Sequence, residues 1–189
     1  MEVPALSNCE RIDIPGIGSL ESFDTDGLRS LLRSYPDIPD LREKTLRYPG
    51  HASLMEVFRE AGFLSPEPLS VGDCTVRPID LTSQLLFPHW QLRESDEEFT
   101  VMRVRIEGYD HSDRRQSHQW DLLDRTDFAH RDSSMARTTG FACNAAAALI
   151  LAGGLEPGLW FPERLAEDSR RFEFLLDYQR ERGVNYRRS

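Results

Sequence analysis

Hydrophobic and polar residues alternate most regularly between residues 99 and 107. A period of two is typical of a β-strand that presents different side chains on its two faces. Residues 108–115 are then polar and rich in Asp, Ser and Gly, and residues 116–123 return as a partner strand. The pattern therefore predicts an antiparallel hairpin over residues 99–123. One face of its first strand carries Thr100, Met102, Val104 and Ile106, and the other carries Phe99, Val101, Arg103 and Arg105.

Helical spacing, with apolar residues three or four positions apart, occurs in several other segments. The apolar stripes are Leu28, Leu31, Leu32 and Tyr35; Leu54, Val57, Phe58 and Ala61; Leu81, Leu85 and Leu86; the Ala-rich run that ends at Leu151; and Phe172, Leu175, Leu176 and Gln179. Pro36 and Pro39 end the first predicted helix, and Gly62 ends the second. Further strands are predicted at residues 10–14, 17–23, 42–48 and 71–77.

These elements predict an α+β (α/β-like) fold. Strands and helices alternate irregularly and one hairpin is antiparallel, so we expect a mixed β-sheet with helices mainly on one face. A chain of 189 residues is long enough for one domain with a substantial core and short for two. Its 39% hydrophobic and 29% charged residues and its mean hydropathy of −0.51 are typical of a soluble globular protein.

Composition also excludes several classes of protein. No apolar run approaches the roughly 20 residues that span a bilayer, and residues 1–30 lack the pattern of a signal peptide. The net charge of −9 argues against non-specific nucleic-acid binding, which needs a basic face. The three widely spaced cysteines form no C-x-x-C motif, so we expect reduced, partly buried thiols in a cytoplasmic protein. No metal-ligand spacing occurs, and we expect no metal site.

Residues 44–51 form the most informative stretch, Lys-Thr-Leu-Arg-Tyr-Pro-Gly-His. Pro49 stops a strand, and a helical pattern follows from Gly50. A strand end that faces a helix N-terminus favours an anion, since free backbone N–H groups point there and Arg47 adds a bidentate cation. The alternative is that Arg47 pairs with Glu43 or Glu21. His51 has two interpretations as well, a ligand or acid–base group and a packed histidine bonded to a backbone carbonyl.

A second block, residues 134–142, opens the Ala-rich helix. Thr138 and Thr139 are good N-cap residues, and capping alone explains one of them. Both together before Gly140 predict a second helix N-terminus that is open to a ligand, with capping alone as the alternative.

With residues 121–125 before it and 162–165 after it, the order of these blocks resembles the C-terminal part of saccharopine dehydrogenase-like proteins. These include saccharopine reductases, lysine 6-dehydrogenases and carboxynorspermidine dehydrogenases. The resemblance covers residues 3–183 and is most specific at residues 45–51 and 135–140. It implies a substrate-binding and dimerisation domain of an enzyme that oxidises the C–N bond of an amino acid with NAD or NADP.

The resemblance also implies roles for single residues. Arg47 would hold a substrate carboxylate, Thr45 and Tyr48 would shape the pocket, and His51 would adjoin it as the one candidate for catalysis. Thr138 and Thr139 would lie near the substrate cleft.

The cofactor is expected on a separate or missing Rossmann domain. Gly16-Ile17-Gly18 is the nearest match to a dinucleotide motif, but Glu21 stands where the third glycine belongs. We therefore interpret residues 15–18 as a turn between two strands and expect no NAD or NADP binding by this chain. The partners expected are an amino-acid-type small molecule, a Rossmann domain and a second copy of the chain. The alternative function is a non-catalytic dimerisation module.

Overall fold

The computed structural model describes residues 3–189 and divides the chain into two compact units, Met1–Gln91 and Leu92–Ser189. Antiparallel strands and α-helices occur in both units, so the predicted α+β class is confirmed. In the described residues the strands form three separate sheets, two in the first unit and one in the second.

The first unit contains a three-stranded sheet with the order β1-β2-β3, a small hairpin and three helices in its described part. Its elements are β1 (Glu10–Ile14), β2 (Gly18–Asp24), α1 (Leu31–Ser34), β3 (Lys44–Arg47), α2 (His51–Glu60), β4 (Leu69–Val71), β5 (Cys74–Val76) and α3 (Pro78–Trp90). Strand β2 is central, and Leu20 and Phe23 on it are buried together with Ile14 and Ala52. The core of this unit therefore follows β2 and the start of α2.

The second unit is built on the long hairpin that the alternating pattern predicts. Its elements are β6 (Phe99–Tyr109), β7 (Arg115–Arg125), α4 (Ser134–Leu151), α5 (Pro162–Leu165), α6 (Ser169–Arg180) and β8 (Arg187–Arg188), with sheet order β6-β7-β8. Helix α4 packs against α6 and against both long strands. Leu122, Ala145, Leu149, Leu165 and Val184 form the buried apolar core.

Two predicted elements of the first unit differ from the observed ones. The helix expected over residues 28–35 is reduced to Leu31–Ser34, because Arg29 adopts φ 42° and interrupts helical geometry before Leu31. The single strand expected over residues 71–77 is the hairpin β4–β5. Gly72, with φ 60°, makes the tight turn between its two arms.

A buried ion cluster centred on Arg137 joins the elements of the second unit. The Arg137 guanidinium donates from Nε to Asp124 Oδ2 at 3.2 Å, from Nη1 to Asp127 Oδ2 at 3.2 Å and from Nη2 to the Arg182 carbonyl oxygen at 3.0 Å. Its side chain is 10% exposed and that of Asp124 only 5%. Gly183 leaves room for the cation, since a Cβ there would lie 3.1 Å from Nη2. The cluster thus connects α4, the end of β7 and the turn that follows α6.

Burial and then the Asp124 carboxylate raise the pKa of the Tyr186 phenol, whose oxygen donates to Gln179. The Asp124 carboxylate therefore influences the Tyr186 phenol, in the segment after α6, as well as pairing with Arg137.

Removal of the Arg137 cation is expected to destabilise the protein strongly. Arg137→Met leaves the buried Asp124 carboxylate without its counterion, which should lower the free energy of unfolding by about 3–5 kcal/mol. Urea denaturation followed by circular dichroism measures the change. Arg103→Met is the matched control, because Arg103 pairs with Asp121 of β7 at a site where the side chains are 30% and 37% exposed. That loss should be about 0–1 kcal/mol, and equal losses in the two variants would contradict the role given to burial.

Candidate functional site

The turn between β3 and α2 carries the sequence block Thr45–His51. Strand β3 ends at Arg47, and α2 begins at His51 after Pro49 and Gly50. Gly50 is the N-cap residue and adopts φ 99°, a conformation that residues with a side chain rarely adopt. The Pro-Gly pair therefore fixes the angle at which the chain leaves the strand and enters the helix.

The N-terminus of α2 is occupied by a carboxylate of the chain itself. The Gly50 N–H donates to Glu21 Oε2 at 2.8 Å, and the Ala52 N–H donates to Glu21 Oε1 at 2.6 Å. Glu21 lies on β2 and is 7% exposed. The expectation of an open anion site at these amide groups is therefore wrong, because Glu21 fills it.

The environment of Glu21 favours its ionised form. Burial alone would raise the pKa of this carboxyl group. The hydrogen bonds from Ala52 and Gly50, followed by the electrostatic influence of His51, outweigh burial and hold the pKa below its ordinary value. Glu21 is thus a buried carboxylate that stays charged because the helix start binds it.

Arg47 is exposed at the end of β3 and makes neither of the ion pairs considered from sequence. Its Nη1 donates to the carbonyl oxygen of the adjacent Leu46 at 2.7 Å. Among residues 3–189, no carboxylate lies within salt-bridge distance of its guanidinium. The cation is consequently accessible to an anion from solution.

Thr45 lies two residues before Arg47 on β3, so the two side chains project from the same face of the sheet. Its hydroxyl is 2.8 Å from that of Thr25, which also donates to Glu43. Tyr48 has an exposed side chain, and its carbonyl oxygen accepts from the His51 N–H at 3.2 Å. The hydroxyl of Thr45 is thereby oriented by the chain, whereas the Tyr48 ring faces solvent over most of its surface.

His51 is half-buried and stacks on Phe23. The ring centroids lie 6.1 Å apart with an angle of 9° between the planes. The packing expected for a structural histidine is therefore present, and the ring still retains part of its exposure.

Strand register brings the first block together. Glu21 lies opposite Arg47 and Phe23 lies opposite Thr45 in the antiparallel β2–β3 pair. Side chains two positions apart share a face, so all four project to the same side of the sheet. His51 joins that side through its stacking on Phe23. Thr45, Arg47, His51 and Glu21 thus lie on the same side of the sheet, and we call this surface the β2–β3 face.

Thr138 and Thr139 belong to the second unit and do not cap a helix. The N-cap of α4 is Ser133, whose hydroxyl accepts from the Ala136 N–H at 3.2 Å. Thr138 lies in the second turn, where its hydroxyl donates to the Ser134 carbonyl oxygen at 2.9 Å, and Thr139 contacts the Met135 sulfur at 3.7 Å. The prediction of an open helix N-terminus at these threonines is wrong, because the helix begins four residues earlier than the predicted cap.

The sequence interpretation missed the structural roles of two residues, Arg137 on α4 and Glu21 on β2. Arg137, inside the second block, holds the ion cluster of the second unit, and Glu21 enters the sequence interpretation only as a partner of Arg47 and as the residue in place of a third glycine. The only local indication that Glu21 is buried is its place between the apolar residues Leu20 and Phe23. The partners of such a residue lie about 30 positions away, however, and no local pattern identifies them.

Residues 15–18 form the turn of the β1–β2 hairpin, as the sequence predicts. Gly16 and Gly18 adopt φ 80° and 103°, and the chain continues into β2 rather than into a helix. A dinucleotide motif needs a helix whose N-terminus receives the pyrophosphate. This segment therefore does not fit NAD or NADP.

Other sites are limited in the part of the chain that the structure describes. A depression of about 250 Å³ is lined by residues 3–5 and 24–26, and its lining residue Thr25 has its hydroxyl 2.8 Å from that of Thr45. In residues 3–189 no group of three or more His, Cys, Asp or Glu is arranged to hold a metal ion, and no helix has the length and apolar character to cross a membrane. Cys9, Cys74 and Cys143 are free thiols, and all three are exposed rather than partly buried.

Comparison with known protein families gives a match over nearly the whole chain. The family model for the saccharopine dehydrogenase C-terminal domain matches residues 2–184 of this chain. The match includes both units and both sequence blocks.

The bond between Glu21 and the start of α2 predicts a pH-dependent stability. The folded-state pKa of Glu21 is lowered, so the unfolded chain binds more protons in the acidic range and stability rises with pH. Glu21→Gln should cost about 1–3 kcal/mol at neutral pH, because one buried amide loses its charged acceptor. The difference from wild type should shrink as the pH falls below about 4.3, the ordinary pKa of Glu in an unfolded chain, and be lost as the pH falls through the lower folded-state pKa.

Urea denaturation at a series of pH values measures this difference. Arg11 and Arg47 flank Glu21 across the strands, Cys9 lies 3.9 Å from it, and His51 faces it from α2. All four side chains are retained in both proteins. Glu60→Gln, at an exposed position of α2, should change stability by less than about 0.5 kcal/mol. A difference for Glu21→Gln that is constant from pH 3 to pH 7 would contradict the interpretation.

Proposed function

Because this chain belongs to the saccharopine dehydrogenase C-terminal domain family, we propose that it is the substrate-binding and oligomerisation domain of an NAD(P)-dependent amino-acid dehydrogenase. The enzyme would act on a saccharopine-type or lysine-type C–N bond. The accessible guanidinium of Arg47 on the β2–β3 face is the observation that supports substrate binding here.

Arg47 is proposed to hold a carboxylate of the substrate. A guanidinium binds a carboxylate through two parallel hydrogen bonds, which fixes orientation as well as position. Its single bond to the Leu46 carbonyl oxygen leaves other N–H groups to donate. The Thr45 hydroxyl and the Tyr48 side chain would border the bound amino acid, and orientation would be the main contribution of this domain to catalysis.

His51 is proposed to adjoin the substrate as an acid–base group. An amine must lose a proton before its C–N bond can be oxidised, and an imidazole nitrogen is a suitable acceptor near neutral pH. Stacking on Phe23 would hold the ring in one orientation. Thr138 and Thr139 are not retained as binding residues, since their hydroxyl groups are engaged within α4.

The cofactor would be bound by a Rossmann domain that lies outside residues 1–189. NAD or NADP would accept the hydride there, and the resulting imine would be hydrolysed by water. We propose a cytoplasmic location, which the three free thiols support because free cysteines are typical of a reducing compartment.

The substrate proposal can be tested with the ¹⁵N-labelled chain and L-saccharopine, using NMR spectroscopy to detect weak binding. We expect shifts of the Arg47 Nε–H signal and of the Thr45 and His51 amide signals. Arg47→Ala should abolish them, because the carboxylate loses its cation. Arg42→Ala, at an exposed arginine paired with Asp40, should leave them unchanged. NADH should shift no signals of the chain. Saccharopine shifts that persist in Arg47→Ala would remove Arg47 from the site.

A second candidate function is a non-catalytic dimerisation module, and strand β6 favours it. In the described residues β6 pairs only with β7, so its other edge is unpaired over an 11-residue strand. Val104 and Ile106 are exposed on one face of that edge strand. A long edge strand with exposed apolar residues favours pairing with another chain. Oligomerisation through this strand is compatible with either function.

Dimerisation predicts a mass of two chains by light scattering at high protein concentration. Ile106→Lys should shift the protein toward the monomer, because a charge on an apolar contact face must be desolvated when the chains associate. Ile150→Lys is the matched control, since Ile150 on α4 is 58% exposed and Ile106 is 56% exposed. A wild-type protein that stays monomeric, or equal effects of the two substitutions, would contradict association through β6.

A further inference from the structure

We infer that Glu21 is a positioning residue of the Arg47–His51 site, an assignment that rests on the proposed function. It fixes the turn that carries both side chains and closes the N-terminus of α2 to other anions. A ligand carboxylate is then directed to Arg47. Glu21 itself does not touch the ligand.

The first step of the argument is the bridge that Glu21 makes between distant parts of the chain. Its two carboxylate oxygens accept from Gly50 and Ala52, which lie 29 and 31 residues further along. His51 is therefore held between two residues that one side chain bonds, and Pro49 directly precedes the first of them. With Glu21 7% exposed, water competes poorly for these bonds.

The second step is the position of Glu21 relative to the two proposed ligand groups. It lies opposite Arg47 in the strand register, while its neighbour two positions along, Phe23, stacks on His51. A shift of the Glu21 carboxylate would therefore disturb the turn that joins the strand of Arg47 to the helix of His51.

The third step is electrostatic. A helix N-terminus attracts anions through its free amide groups and its dipole. Here the negative charge of Glu21 neutralises that attraction and would repel a second anion. Within residues 3–189, the Arg47 guanidinium bonds to the Leu46 carbonyl oxygen and has no carboxylate partner. The position of the cation, rather than that of the helix, would then decide where a substrate carboxylate lies.

The test uses Glu21→Ala and chemical rescue. This variant exposes the Gly50 and Ala52 amide groups, which formate is small enough to refill. We expect displaced NMR signals for the Arg47 Nε–H and for residues 48–52 in the absence of ligand, and a return toward the wild-type positions as sodium formate replaces sodium chloride at constant ionic strength. The Kd for L-saccharopine should rise about tenfold without formate and recover with it.

Asp168→Ala provides the matched control. Asp168 is also a carboxylate at a helix N-terminus, where it accepts from the Arg170 N–H at 2.9 Å, but it serves α6 in the second unit. That variant should lose stability without a change in the Arg47 signal or in saccharopine binding. Where Glu21→Ala does not fold, Glu21→Gln keeps the shape and one acceptor, and should show the same displacement with a smaller increase in Kd.

The outcomes separate the two proposals. Unshifted Arg47 and His51 signals in the Glu21 variants, or shifts in Glu21→Ala that formate does not reverse, overturn the positioning role while the substrate proposal stands. An unchanged Kd in a folded Glu21 variant also overturns it, and leaves Glu21 as a structural cap alone. A wild-type chain whose Arg47 signal ignores saccharopine overturns the proposed function, and the inference that rests on it is overturned as well.

Discussion

Each unit of this protein depends on one buried carboxylate that must find donors. Glu21 and Asp124 are both less than one-tenth exposed, and an unpaired ionised carboxylate at such a site would be very costly. Glu21 is bonded to the backbone at the start of α2, and Asp124 is bonded to the Arg137 side chain of α4. In both cases a carboxylate of the sheet fixes where a helix begins or how it is held. Apolar burial alone would permit several such placements, because it has no direction.

The two ways of binding a buried carboxylate have different chemical consequences. Backbone amides bind Glu21 without using a side-chain cation, so Arg47 on the neighbouring strand remains exposed and charged. Asp124 instead takes up Arg137, whose remaining donors bind Asp127 and a main-chain carbonyl. One unit therefore retains an accessible guanidinium, while the other engages its buried guanidinium fully in structure. This contrast is why the substrate proposal concerns the β2–β3 face.

Sequence patterns predicted the elements whose signals are local. The alternating residues 99–107 predicted β6 and its partner strand, and the glycines at 16 and 18 were correctly interpreted as a turn. The patterns failed where a single backbone angle decided the outcome, as at Arg29, whose positive φ leaves only a short helix at Leu31–Ser34. They also failed at Thr138, because any of several Ser and Thr residues near position 134 satisfies the rules for an N-cap.

The candidate site was predicted in part for the same reason. Spacing along one strand brought Thr45 and Arg47 to a common face, which requires only a period of two. The role of Glu21 depends on a contact across about 30 residues and on the left-handed turn at Gly50, and neither has a local signature.

A sequence block that is specific to a family is therefore ambiguous by itself, since ligands and buried ion pairs both restrict residue types. Residues 135–140 illustrate this point. Their charged member, Arg137, is fully engaged by Asp124, Asp127 and the chain after α6, so packing is a sufficient reason for it. Arg47 has no comparable ion pair in the part of the chain that the structure describes. An exposed cation, held beside an oriented hydroxyl and a stacked imidazole, is the arrangement that a ligand carboxylate would complete.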